Sequence, residues 1–301
     1  MRIENILGVL QSSPVFMTIS RGFYFTFLSA FTWAVTIVIL RIILQSGENV
    51  YNVLFWTALL TLPYWLFTAF QSKDEIKKLT RKDYSILLWM AGISAVGVKL
   101  TEILALKYSP AINYAFLIRM VIIFTVIFAA IFLKEKITNK KIFLAVVLLV
   151  GAYLLTTSGK TLALTLGDTF TLIQAALIAL GNNVLGKMAT NRMSSNVSAA
   201  GSVILGFLPN VLIALAFTSL QLPVNFWLIL LLSVGYIFLT QFRFTAYKHA
   251  SASFVTMVFS FTPVFVALMA IPLLGETMTS VQILGGILII LAGVMVEKLK
   301  I

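Results

Sequence analysis

The stretch from residue 111 to residue 138 reads AINYAFLIRMVIIFTVIFAAIFLKEKIT, and it decides the class of protein. Its first part, 111–133, contains a single charged side chain, Arg119, and Lys134 follows directly. A helix of that length rises about 35 Å at ~1.5 Å per residue, which is enough to cross the ~30 Å hydrocarbon core of a bilayer. The stretch therefore predicts a transmembrane helix that ends at a basic turn.

Similar apolar blocks fill the rest of the chain. The sequence is 60% hydrophobic and only 11% charged, which is too little polar surface for a soluble protein of 301 residues. A segment in lipid must satisfy its own backbone hydrogen bonds, which favours helices, and the alternating ~10-residue stretches of a transmembrane barrel do not appear. We predict an all-α polytopic membrane protein with ten transmembrane helices, at residues 22–44, 50–70, 85–106, 111–133, 140–157, 168–187, 197–219, 225–247, 251–274 and 280–297.

The basic residues predict the orientation of these helices. The net charge of +12 would suggest nucleic acid as a partner of a soluble protein, but here the lysines and arginines concentrate in short connections between apolar blocks. With the N-terminus in the cytoplasm, sixteen of them fall inside and three outside. The positive-inside rule then places both termini in the cytoplasm of a plasma-membrane protein, with residues 1–21 as a cytoplasmic N-terminal segment that forms a short interfacial helix.

The residue types and catalytic motifs that the sequence lacks also limit the possible functions. The chain has no cysteine, and its one histidine, His249, falls in a short connection. Nucleotide-binding glycine motifs, a serine-hydrolase elbow and zinc-protease spacing are all missing from the sequence. These absences predict a protein that is not an enzyme and that has no metal, no cofactor and no nucleic-acid partner.

The chain also repeats itself. A shift of 141 residues places Glu135 on Glu276 and Thr138 on Thr279, and a shift of 146 places Pro63 on Pro209. We assign the five-residue difference to the long connection at 71–84. Each half, 22–157 and 168–297, contains five helices, and because five is odd the second half must enter the membrane from the opposite side. Such inverted repeats are typical of alternating-access transporters.

Three ionisable residues in the third and fourth helices are the first candidate site. Lys99 and Glu102 lie three residues apart and so share a helical face, and Arg119 is predicted at a similar depth on the next helix. Charged groups at such depth are costly and face a partner or a cavity. Two interpretations stay open: an ion-paired structural triad, or a substrate path in which one spare cation binds a carboxylate or phosphate and Arg119 is the principal anion-recognising residue.

Other polar and aromatic residues inside the predicted helices extend the candidate site. Arg243 matches Glu102 under the 141-residue shift, and its position near a helix end favours snorkelling to the cytoplasmic interface. Gln174 and Asn182 share a face of the sixth helix, where amides either join helices or line a cavity. Trp33 and Tyr236 fall at mid-depth, where packing and substrate recognition are both open.

At this point the sequence resembles the drug/metabolite transporter superfamily, in particular its ten-helix EamA-type members. The resemblance rests on Leu274-Gly275-Glu276 leading through Thr279 into Gly285-Gly286, with a first-half counterpart in Leu133-Lys134-Glu135 and Thr138. It covers the chain from about residue 22, and Lys134 departs from the glycine usual before the glutamate.

The resemblance implies five-plus-five inverted repeats around a central cavity, with most of the cavity contributed by the third, fourth, eighth and ninth helices. It implies that the glutamates at positions 135 and 276 are packing or gating elements.

We therefore predict a secondary transporter, most simply an exporter of amino acids or similar small zwitterions or anions. Its substrate-binding candidates are Trp33, Lys99, Glu102, Arg119, Gln174, Asn182, Tyr236 and Arg243.

Two alternatives and two further properties stay open. More than one free cation in the cavity would favour an organophosphate or nucleotide-sugar exchanger, and an unpaired Glu102 would favour proton coupling. A non-transporting scaffold or receptor would instead fill its interior with ion pairs and have no cavity. Besides the lipid bilayer and a small-molecule substrate, the sequence leaves a homodimer open as a partner.

Overall fold

The computed structural model of the chain describes residues 20–109, 111–163, 165–274 and 277–299. The N-terminal interfacial helix predicted within residues 1–21 lies almost wholly outside these residues. Every regular element that the structure describes is helical, and ten helices are long and apolar enough to cross a membrane. In chain order they are α1 Arg21–Gln45, α2 Val50–Gln71, α3 81–108, α4 111–133, α5 Asn139–Thr157, α6 Leu166–Arg192, α7 Ser195–Phe217, α8 Phe226–His249, α9 252–274 and α10 Ser280–Lys298.

The helix starts are set by side-chain caps, which is why most predicted boundaries agree closely with the structure. The hydroxyl oxygens of Ser20, Thr138, Ser194 and Thr279 each accept a hydrogen bond from an amide in the first turn of the following helix. The larger differences lie at one end of the molecule, where α3 begins before, and α6 ends after, the predicted residue. Their polar ends remain helical because Asp83 and Arg192, one from each helix, form an ion pair there.

Two similar five-helix halves are visible in matching local features. The helices α5 and α10 each have 19 residues and begin after equivalent threonine caps, Thr138 and Thr279. Both α4 and α9 are interrupted by one 3₁₀ turn, at Ile118–Met120 and Phe259–Phe261, and these turns coincide under the 141-residue shift. Equivalent breaks inside equivalent helices support the internal repeat better than sparse sequence identity does.

The structure corrects where the two halves differ in length. The connection before α3, residues 72–80, is about as long as its counterpart before α8, residues 218–225. The extra residues lie instead inside α3, which spans 81–108 and so is four residues longer than the 24-residue α8. A π-helical segment, Ile93–Val98, lies in the middle of α3 and accommodates part of this added length.

Close backbone contact joins the ends of the two halves. The helices α5 and α10 cross where Gly151 meets Gly285, and a Cβ atom on Gly285 would lie 2.6 Å from the Gly151 carbonyl oxygen. No other residue type fits at this crossing without moving one helix. In lipid the hydrophobic effect does not drive helices together, so close van der Waals packing at such small residues stabilises the contact instead. The pair α5–α10 therefore forms a scaffold beside the helices that enclose the site.

Candidate functional site

A cavity of about 750 Å³ lies between α1, α2, α3, α6, α7 and α8. That volume falls within the range of sites for small-molecule ligands. Aromatic rings form much of its wall, and polar side chains lie between them. The lining rings are Trp33, Tyr51, Trp65, Phe207, Tyr236 and Phe244, and the other polar or charged side chains include Ser94, Lys99, Glu102, Asn182, Asn210 and Arg243.

The cavity brings together most of the candidate residues. Six of the eight line it, namely Trp33, Lys99, Glu102, Asn182, Tyr236 and Arg243, and Arg119 and Gln174 are not among the described lining residues. The polar residues Ser94 and Asn210 were missed because a serine or asparagine in an apolar helix has no distinguishing neighbours in sequence. Only the packing of helices shows which face of each one meets the cavity.

Lys99 and Glu102 form an ion pair, with 2.8 Å between Nζ and Oε2. Their side chains remain 38% and 32% exposed, and both line the cavity, so the pair is accessible to a substrate. The ion-paired triad, one of the two open interpretations, is not formed, since Arg119 makes no ion pair within the described residues. Among the described residues, Glu102 thus has one ion-pair partner, which neutralises its charge at this wall.

Arg243 is the cation of the cavity without an acidic partner among the described residues. Its guanidinium carbon lies 5.9 Å from the centroid of the Trp33 ring and 5.1 Å from that of Phe259. Both distances are within the range of cation–π attraction. The expectation that Arg243 snorkels to the cytoplasmic interface is wrong, because these two rings hold its side chain toward the interior of the helix bundle.

A second group of polar residues, none of them among the described residues that line the cavity, lies between α4 and α6. Arg119 belongs to the 3₁₀ turn of α4, and its Nε atom is buried with no hydrogen-bond partner within the described chain. Gln174 is 2% exposed, lies against Tyr114 and has an unpartnered Oε1 atom. Neither residue is among the described residues that line the cavity.

Two π-helical segments meet at one wall of the cavity. Ser94 belongs to the segment Ile93–Val98 of α3 and Asn182 to Ala179–Val184 of α6, and the Ser94 hydroxyl donates to Asn182 Oδ1. The Asn182 Nδ2 group makes no hydrogen bond within the described residues and so can donate to a substrate. Single-turn π segments are often found at functional sites, where they redirect a side chain.

The neighbouring asparagine has the opposite role. Asn183 is 8% exposed and donates from Nδ2 to the hydroxyls of Thr125 on α4, at 2.8 Å, and Thr256 on α9, at 3.0 Å. Its Oδ1 accepts from the Tyr247 hydroxyl on α8 at 2.7 Å. Asn183 therefore joins α4, α6, α8 and α9, whereas Asn182 faces the cavity.

The ion pair and Arg243 lie at different depths. Tyr236 precedes Arg243 by two turns of α8, which corresponds to about 10 Å along the axis. The Tyr236 ring is 6.3 Å from that of Trp33, and its hydroxyl is within electrostatic range of Lys99 and Glu102. The cavity thus has a cationic region at Arg243, an aromatic middle and a neutral ion pair.

The helices that enclose the cavity differ in part from those implied by the family resemblance. No described lining residue comes from α4 or α9, although both were expected to contribute. The hydrogen bonds of Asn183 hold these helices behind α6, and Phe261 and Phe265 of α9 pack edge-on against Phe27 of α1. In their place, α2 and α7 form much of the wall.

Polar contacts close the end of the molecule where α3 begins and α6 ends. Arg192 Nε donates to Asp83 Oδ1, and the Ser194 amide donates to Glu75 at 2.6 Å. Lys248 Nζ donates to the carbonyl oxygens of Thr190 and Met193 at 2.8 and 3.3 Å. These contacts join α3, α6, α7 and α8 beyond the cavity.

The opposite end is divided into two groups of connections. The connection 46–49 and the first turns of α2 are held to 221–225, where Val224 N donates to Glu48 and Trp56 Nε1 donates to the Gln221 carbonyl at 2.8 Å. A second group forms around Asp168, which accepts from Ser109 and Asn113. The cavity extends to Tyr51 in the first turn of α2 and so reaches this divided end.

Comparison with known proteins gives a family match over both halves. The sequence profile described as the EamA-like transporter family matches residues 20–157 and again residues 165–297. No curated protein matches the chain. A solved structure, described only as "Crystal structure of protein", is similar over 94% of this chain and 100% of its own, with a TM-score of 0.76 and 14% identity. At that identity the similarity supports the fold alone.

Proposed function

This chain belongs to the EamA-like transporter family, within the drug/metabolite transporter superfamily, and we propose that it exports amino acids or similar small molecules with one carboxylate. Its ten membrane-capable helices make it a multi-pass membrane protein, and family members are transporters rather than enzymes. We place it in the plasma membrane with both termini in the cytoplasm, on the charge distribution of its connections.

The observation that carries the proposal is the charge balance of the cavity. The ion pair Lys99–Glu102 is neutral, so Arg243 supplies the one uncompensated charge among the described lining residues. One fixed cation matches one carboxylate. A phosphate monoester with two negative charges would leave one of them unmatched, which favours the amino acid over the organophosphate or nucleotide-sugar alternative.

The geometry around Arg243 suits carboxylate recognition. Cation–π contacts with the Trp33 and Phe259 rings do not use the N–H hydrogen bonds of the Arg243 guanidinium, so these groups can form a two-pronged hydrogen bond to a carboxylate. The ammonium group of a bound amino acid is too close to its own carboxylate to reach Glu102 on α3, which lies near Tyr236, about 10 Å along α8 from Arg243. The ring faces of Trp33 and Tyr236 can accept it instead through cation–π attraction.

Transport would use alternating access between the two ends of the cavity. The polar contacts at Asp83–Arg192 close one end, while the cavity reaches Tyr51 at the other, which supports an outward-facing state under the proposed orientation. We propose that the two halves are inverted repeats and that exchanging their conformations opens the opposite end. A scaffold protein would have no use for a cavity of this size.

The pairing of Glu102 also bears on coupling. A carboxylate that exchanges a proton during transport must be free of a fixed ion-pair partner, and Glu102 is paired with Lys99 at 2.8 Å. We therefore propose transport that is not coupled to protons through Glu102.

Two arginine variants test the site. Each hydrogen bond to a charged group contributes about 1.5–3 kcal/mol, so losing the two-pronged bond in Arg243→Met should weaken binding of the substrate by at least about 100-fold. The matched control is Arg119→Met, which removes a second intramembrane arginine that does not line the cavity and should preserve binding.

The substrate is first identified by thermal-shift screening of the purified protein in detergent against amino acids, sugar phosphates and cationic drugs. Binding and proteoliposome uptake of that substrate are then measured for both variants. Unchanged transport by Arg243→Met, or loss only in Arg119→Met, would contradict the assignment of the anion site. Stabilisation by sugar phosphates but not by amino acids would favour the exchanger.

A further inference from the structure

A second cleft, of about 940 Å³, opens at the end of the molecule where α4 leads to α5 and α8 leads to α9. It shares no described lining residue with the central cavity. Its walls come from residues 135–141, from 249–251 with Phe254, and from Ser20, Glu297 and Leu299 at the two ends of the described chain.

In the part of the chain that the structure describes, the cleft presents unpaired positive charge to a ligand. Lys136 and Lys140 are exposed and form no ion pair within the described residues. The acidic residues beside them are already engaged, because Glu297 accepts two hydrogen bonds from Ser20, at 2.7 and 2.9 Å. Glu135 accepts from the Ala252 amide at 2.8 Å and from the Ser253 hydroxyl at 2.6 Å, and it pairs with Lys141 at 3.5 Å.

These lysines are not part of the internal repeat. The 141-residue shift that matches the caps Thr138 and Thr279 places Lys136 on Thr277 and Lys140 on Val281. The fold of this connection therefore does not require them. The predicted orientation in the membrane does not depend on these two lysines either, since the connection 71–84 alone carries five lysines and arginines on the same predicted side.

An exposed apolar face continues from the cleft along α5. Phe143, Val146 and Val150 follow Lys140 at helical spacing, and they are 61%, 48% and 46% exposed. In a membrane this face meets acyl chains, while Lys136 and Lys140 lie at the level of the headgroups. The two features together match a molecule that has an anionic head and a hydrocarbon tail.

We propose that this cleft binds the phosphodiester headgroup of an anionic phospholipid through Lys136 and Lys140, with an acyl chain lying along Phe143, Val146 and Val150. The chemistry is that of charge complementarity at the membrane surface, where a basic pocket between helices holds a lipid phosphate. The proposal is independent of the transported substrate, since none of these residues lines the central cavity.

The test compares lipids on the purified protein. Phosphatidylglycerol and phosphatidylcholine with the same acyl chains, and inorganic phosphate alone, are titrated in detergent while binding is followed by native mass spectrometry and melting temperature. We expect phosphatidylglycerol to bind in preference to the other two. The double variant Lys136→Gln/Lys140→Gln should bind it roughly 30-fold more weakly, from the typical contribution of two interfacial lysines.

The matched control is Lys77→Gln/Lys78→Gln, which removes two exposed lysines from the same predicted side but away from the cleft. It should retain the affinity for phosphatidylglycerol. Equal loss in both double variants would indicate general electrostatic attraction and overturn the site. Equal binding of the two lipids would exclude headgroup recognition, and equal binding of inorganic phosphate would overturn the assignment to a lipid.

Discussion

Replacing Asn183 by leucine should destabilise the protein much more than the same change at Asn182. Leucine resembles asparagine in size, so the change removes hydrogen bonds with little change in volume. Asn183 makes three, to Thr125, Thr256 and Tyr247, at 2.7–3.0 Å. Asn182 makes one within the described residues, to Ser94.

The magnitudes follow from these partners. Interhelical hydrogen bonds in membrane proteins contribute about 0.6 kcal/mol each, so the three bonds of Asn183 amount to about 2 kcal/mol. The Tyr247 hydroxyl, on a side chain that is 2% exposed, would then be buried without an acceptor, which costs about 1–3 kcal/mol more. We expect Asn183→Leu to lower the free energy of unfolding by about 3–5 kcal/mol and Asn182→Leu by less than about 1 kcal/mol.

Unfolding of the purified variants in mixed micelles, with increasing dodecyl sulfate, measures both free energies. Substrate uptake in proteoliposomes provides the second readout, and here the order should reverse. Asn182→Leu should fold normally and transport poorly, because it replaces a free donor in the cavity wall with a methyl group. Equal unfolding free energies for the two variants, or greater loss for Asn182→Leu, would refute the assignment of structural and cavity roles.

Further predictions concern coupling and topology. Glu102→Gln should leave the response of uptake to a proton gradient unchanged. It should also free Lys99 and raise the affinity for doubly charged anions about tenfold in proteoliposome competition assays, for one added charge–charge contact of ~1.4 kcal/mol. The chain has no cysteine, so single cysteines can report topology. Cysteines that replace Ser158 and Ser219 should react with an impermeant thiol reagent on intact cells, and a cysteine that replaces Ser72 should not. The reverse labelling pattern would contradict the proposed orientation.

Much of the fold could be predicted from the sequence because bilayer thickness fixes helix length. The stretch at 111–133 illustrates this, since its ends in the structure are the predicted ones. Polar caps such as Thr138 and Thr279 set the starts of α5 and α10 in the same local way. The errors arose where distant residues extend a helix, as Arg192 of α6 does by pairing with Asp83.

The candidate site was predictable as a set of residues but not as an arrangement. The sequence predicted the same importance for Lys99, Glu102, Arg119 and Arg243, because each is a charged side chain inside a membrane helix. The free-energy cost of such a charge in lipid shows that it needs a partner but does not show which partner it has. The structure separates them into a pair, a residue that is not among those described as lining the cavity and a cation held by two rings. The 3₁₀ turn at Ile118–Met120, to which Arg119 belongs, has no marker in its own sequence.

The sequence by itself determined the number and length of the helices, the internal repeat and the residues whose polarity demands a partner. These depend on local hydropathy, caps and spacing, which are written in neighbouring residues. The tertiary structure alone decided that Asn182 faces the cavity while Asn183 joins four helices, although the two are adjacent in the chain. That difference depends on a π-helical turn and on the packing of α4, α8 and α9, which are set by contacts between residues far apart in sequence.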